Sequence, residues 1–185
     1  MKAGVFFLTA AAILLFGCAQ TSPVDGSAEK ADDFSYARES GNFSDTGAIA
    51  LHEGGYRFTI ILVKDLEWAL KSLEIADYGL PRISQFKRGE KVSPFLTFMT
   101  FGNENVNLTY SIRLQGPDGR FAAKEYRNLL IARSKVNESM GYPAKDFVTV
   151  SFDETDALGK YEFYVIVKDG ENIKNACIMR FELTE

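Results

Sequence analysis

His52 is the only histidine in the chain, which removes most catalytic plans at once. A two-histidine metal site and an H-E-x-x-H helix need a second imidazole. A Ser-His-Asp triad on the usual plan is not readable either, and no G-x-S-x-G elbow, P-loop or G-x-G-x-x-G run is present. His52-Glu53 could join distant carboxylates around a metal, but an ordinary surface pair is the simpler reading. Asp153-Glu154-Thr155-Asp156 gathers three carboxylates ahead of Gly159. As a calcium loop it lacks the glycine and terminal glutamate of an EF-hand, so a solvated turn capped by Asp156 is preferred. Glycoside hydrolysis needs two carboxyl groups flanking one bond. The 25 acids allow such pairs, yet no spacing singles one out. The sequence therefore predicts no catalytic residue, no metal and no cofactor.

The two cysteines have different settings. Cys177 belongs to a run in which Cys177, Met179, Phe181 and Leu183 share one face of a strand, so it reads as a small buried side chain. Cys18 follows Met1-Lys2 and an apolar run from Val5 to Phe16, the pattern of a secretory signal. That run is too short for a transmembrane helix, which takes about 20 residues. An ordinary signal cut after Ala19 would discard Cys18. Leu15-Phe16-Gly17-Cys18 instead resembles the lipobox of bacterial lipoproteins. That resemblance implies a signal over 1–17, acylation of Cys18 and a membrane anchor. With Ala19 rather than Asp next, it also implies outer-membrane sorting, facing the periplasm, if the host has two membranes. Two or three acyl chains hold stably where one is marginal.

Loss of 1–17 removes one base and no acid, moving the formal charge from −4 to −5. Ala19–Gly47 carries six acids and two bases, so the remainder is near neutral. This balance lacks the basic footprint of a nucleic-acid binder and the polybasic stretch that anionic lipid attracts. Residues 18–47, rich in Ser, Thr, Gly, Asp, Glu and Ala, read as a lipidated Cys and a flexible acidic tether. Phe34, Tyr36 and Phe43 interrupt it, either as docking points or as solvated aromatics.

The folded domain is expected over 48–185. Tyr56–Val63 has the β-branched and aromatic content of a strand. Asp65 can cap a helix over Leu66–Ala76 whose apolar stripe is Leu66, Ala69, Leu70, Leu73 and Ala76. Trp68 and Ile75 lie nearly opposite that stripe. They could anchor a partner, or be clasped between domain and tether. Val92–Phe101 is apolar on both faces, and Val106–Leu114 alternates strictly. Less regular strands are expected at Arg120–Tyr126 and Asn128–Arg133. Tyr161–Lys168 and Asn175–Thr184 form a hairpin across Asp169-Gly170-Glu171-Asn172.

Asp156-Ala157-Leu158-Gly159-Lys160-Tyr161-Glu162-Phe163 resembles the Asp-x-Gly-x-Tyr-x-Cys stretch opening strand F of immunoglobulin domains. The resemblance spans about 91–185 and implies an Ig-like antiparallel β-sandwich, mainly β, with one short helix on its N-terminal side. It also implies a bond from the Tyr161 hydroxyl to nearby backbone. Phe163 stands where the cysteine would be, so the inter-sheet disulfide is absent. The function this suggests is a non-enzymatic binding or scaffold lipoprotein with a protein partner in the envelope. A narrower form is an inhibitor of an envelope hydrolase, acting through loop Ser134–Lys145, with Met140 and Tyr142 as contacts. The competing class is a carboxylate-dependent envelope hydrolase.

Overall fold

A computed structural model describes residues 33–53, 55–74, 82–101, 105–135 and 141–185. Cys18, Ile75 and Met140 lie outside them. The described residues form an Ig-like, mainly antiparallel β-sandwich of two sheets with two short helices.

One sheet is built on β2 (Ala48–Glu53), β3 (Tyr56–Val63) and β5 (Lys91–Thr100), extended on β5 by β8 (Tyr142–Pro143) and β9 (Val150–Ser151). The other runs β11 (Asn172–Thr184), β10 (Gly159–Asp169), β6 (Asn105–Gln115) and β7 (Phe121–Lys135) in antiparallel order. Two short strands, β1 (Phe43–Ser44) and β4 (Gln85–Lys87), pair parallel to β11. The chain changes sheet between β1 and β2, on either side of β4, between β5 and β6, between β7 and β8 and between β9 and β10. β10, flanked by β6 and β11, therefore holds the place of an immunoglobulin strand F. The two sheets take in β1 to β4 as well as the strands from Lys91 onward.

Period-two alternation decides what faces the core. Phe58, Ile60 and Leu62 of β3 meet Leu108, Tyr110 and Ile112 of β6 and Phe163 and Val165 of β10 in one buried cluster. Phe181 is its aromatic centre. Its ring lies 5.3 Å from Phe163, 5.5 Å from Phe86 and Tyr161, and 5.8 Å from Phe152. Packed rings occupy the region that an antibody domain would cross-link.

Two outer faces are covered, because strands apolar on both sides need a second partner. α2 (Leu66–Glu74) packs Ala69 on Val63 and Phe95. Asp65 caps it, its Oδ1 accepting from the Trp68 N–H at 2.9 Å. On the opposite sheet, α1 (Asp33–Glu39) buries Phe34 and Ala37 against Tyr164, Ile166, Ala176 and Ile178. Residues 33–47, the described part of the tether expected over 18–47, lie along this sheet; residues 18–32 lie outside the described residues. The Arg38 guanidinium sits over the Tyr164 ring and donates from Nε to its hydroxyl at 3.2 Å. Phe34 is docked; Tyr36 is exposed, and Phe43 is exposed with Arg180 over its ring.

β7 is one strand where two were expected. Asn128 adopts φ 53°, and the pairing with β6 shifts register beside it, so the strand bends without ending.

Candidate functional site

The outer face of the β2–β3–β5 sheet carries a groove of about 770 Å³. Strand register assembles its floor. Ala50 pairs with Thr59, and Thr59 with Thr97, giving a middle row of small side chains. One step along, Ala48 and Ile61 form a more apolar row, continued by Phe95 beneath α2. One step the other way, Arg57 pairs with Met99. The small middle row leaves a trough between taller neighbours.

Three further elements wall it. Leu73 contributes from α2, and Gly141 lies beside Met99, just before β8. Arg82 enters at the Ala48–Ile61 end, because the backbone of its neighbour Ile83 touches Gly47. Arg57 stands at the opposite end. Arg57 and Ile61 are four strand residues apart, about 13 Å along β3, so the two arginines leave the backbone at opposite ends of the trough. Both are exposed, and neither forms an ion pair with a described residue. Among the described residues the lining holds no acid, histidine or cysteine.

Of the residues singled out from the sequence, His52 pairs with Arg57 at the rim of this sheet face; the others lie elsewhere. Trp68 is 45% exposed on α2, about 140° around the helix from Leu73, so it does not face the groove. Tyr142, expected as an outward loop contact, is part of β8, and its half-buried ring stacks on Phe98 at 5.5 Å. Pairing with β5 turns its ring toward the core. The Tyr161 hydroxyl donates to the Ala157 carbonyl at 2.7 Å, and Phe163 is fully buried. Cys177 is fully buried, and burial pushes its thiol up to about 12.

His52 sits exposed at the end of β2, beside a polar hollow of about 240 Å³ shared with Tyr36, Asn42 and Lys174. Asp153, Thr155 and Asp156 close on themselves. The Thr155 N–H and hydroxyl donate to Asp153 Oδ1 at 2.8 and 2.6 Å, and the Asp153 N–H donates to Asp156 Oδ2 at 2.7 Å. The two Thr155 donors hold the Asp153 carboxyl below its ordinary value. Among the described residues, no three His, Cys, Asp or Glu side chains gather to hold a metal.

No family model matches the chain, and no curated protein does. Among solved structures, it is similar to a Niemann-Pick type C2 protein from Japanese carpenter ant at 7% identity and a TM-score of 0.42, covering 77% of this chain and 98% of that one. It is also similar to an alkylpurine DNA glycosylase from Pseudomonas fluorescens, bound to DNA containing an abasic site analog, at 13% identity and a TM-score of 0.38 over 55% of this chain. A family 123 glycoside hydrolase from Clostridium perfringens matches at 12% identity and a TM-score of 0.38 over 62% of this chain. The chain spans 28% of the length of the glycosylase and 25% of that of the hydrolase.

Proposed function

We propose that this chain is a lipid-anchored cell-envelope module that binds its ligand in the β2–β3–β5 groove and performs no reaction on it. The groove's lining carries the reading. It combines apolar floor residues with two arginines, the composition of a recognition site. Its described residues offer no carboxylate, imidazole or thiol for general acid–base or nucleophilic work. The anchor rests on Leu15-Phe16-Gly17-Cys18 behind a short apolar run.

The test places a photo-crosslinking residue at Met99, on the groove, and at Ala123, exposed on β7 of the other sheet. Irradiation of intact cells expressing the full chain should give one defined adduct from Met99 and none from Ala123. Equal adducts from both positions, or none from Met99, overturn the groove as the binding surface. The envelope part is tested by fractionation, with Cys18→Ser expected to lose the lipid-dependent membrane association.

A further inference from the structure

Resting on that reading, we infer that the groove takes an anionic amphiphile: an extended apolar body carrying a carboxylate or phosphate. Three observations on the site select this class.

The first is charge complementarity. Arg57 and Arg82 project at the two ends with no acidic side chain among the described lining and no ion pair to a described residue. A guanidinium offers a planar fork that matches carboxylate or phosphate oxygens. With one at each end, an anionic head finds a partner whichever way the body lies.

The second is the floor between them. Ala48, Ala50, Ile61, Leu73 and Met99 present apolar surface, relieved only by Thr59 and Thr97. About 770 Å³ is the scale of a small-molecule site rather than of a protein interface.

The third excludes a peptide backbone. The groove lies on the face of the sheet, and β3 spends its backbone groups in pairing with β2 on one side and β5 on the other. A strand-like peptide docks by completing a sheet edge. Laid across a face, it would bury its own N–H and C=O groups with no strand edge beneath it, and only the Thr59 and Thr97 hydroxyls on the floor and the two guanidiniums at the ends to meet them. An acyl or similar body has no such groups to satisfy.

The test measures calorimetric binding of decanoate to the purified full chain, below its micellar concentration. Saturable one-to-one binding is expected. Arg57→Gln with Arg82→Gln should weaken it at least tenfold, and Ala50→Phe, which fills the middle row, should remove it. Decyltrimethylammonium should not compete. Both sets of substitutions lie at exposed positions, and circular dichroism identifies any variant that fails to fold; the arginine pair then carries the test alone. A cationic chain that binds as tightly as decanoate overturns the anionic preference. Decanoate binding unchanged in folded Ala50→Phe overturns the site. An acidic decapeptide that displaces decanoate and binds more tightly gives the groove to a protein partner and overturns the amphiphile. If Met99 yields its adduct while decanoate does not bind, the binding-module reading stands and the ligand class falls. If neither occurs, both fall.

Discussion

Gly47 and Ile83 touch backbone to backbone: a Cβ on Gly47 would collide with the Ile83 carbonyl oxygen. Gly47 also has φ 70°, and its carbonyl accepts from the Leu62 N–H at 2.8 Å. This contact brings the chain from Arg82 into β4 against the start of β2, so it sets one end of the groove.

Gly47→Ala should therefore cost far more than Gly89→Ala. Gly89 has φ 81° but open space where a Cβ would go. Its substitution carries only the left-handed backbone penalty, about 1–2 kcal/mol. Gly47→Ala adds overpacking against backbone, about 1–3 kcal/mol more. Denaturant midpoints compare the two directly. Equal losses would mean that Ile83 moves aside freely and that Arg82 is not fixed over the groove.

Tyr161 and Phe163 separate a hydrogen bond from a core ring on one strand. Tyr161→Phe removes the bond to Ala157 and should cost about 0.5–1.5 kcal/mol. Phe163→Ala empties a site packed on Phe181 and should cost about 3–5 kcal/mol. Similar small losses from both would detach the corner from the sandwich core.

Strand pairing in this fold was legible wherever one face of a strand is wet. Val106–Leu114 alternates because its partner rows are core on one side and solvent on the other. The order of α1 was not legible, because Asp33, Ser35, Arg38 and Glu39 surround the two residues that anchor it, Phe34 and Ala37. A usable signal lay elsewhere: Tyr164 and Ile166 alternate with Phe163, Val165 and Val167, so β10 is apolar on both faces and requires a cover. The groove left still less trace. Ala50, Thr59 and Thr97 are unremarkable in sequence and become a row only through the register of three strands.

Docking of α1 is testable through Phe34, whose ring lies beneath the Arg113 guanidinium at 5.8 Å. Phe34→Ala should release the helix locally while leaving the inter-sheet core folded. Hydrogen exchange should then quicken over 33–40 and remain slow at Phe163–Val165. The Ile178 N–H, which donates to the Asn42 carbonyl at 2.9 Å, should lose protection with the helix. Unchanged exchange over 33–40 would show that β1 alone holds the segment.

Cys177 supplies a pH-dependent prediction. Burial disfavours the thiolate and raises the folded-state value to about 12, against about 8.5 for an unfolded cysteine. The folded chain thus holds the proton that the unfolded chain gives up first. The resulting stability is fully present below pH ~8.5 and is lost as pH rises toward the folded value. At pH 10 the loss is about 2 kcal/mol, 1.5 units at about 1.4 kcal/mol each. Cys177→Ala costs stability at pH 7 through its small cavity, but it lacks this titration. The gap between wild type and variant should therefore narrow from pH 8 to pH 10 in denaturant titrations. Alkylation followed by peptide mapping gives an independent readout: the peptide containing Cys177 should stay unmodified in the native protein at pH 8 and react on unfolding. Rapid native labelling, or a gap that stays constant with pH, would place the thiol in contact with solvent.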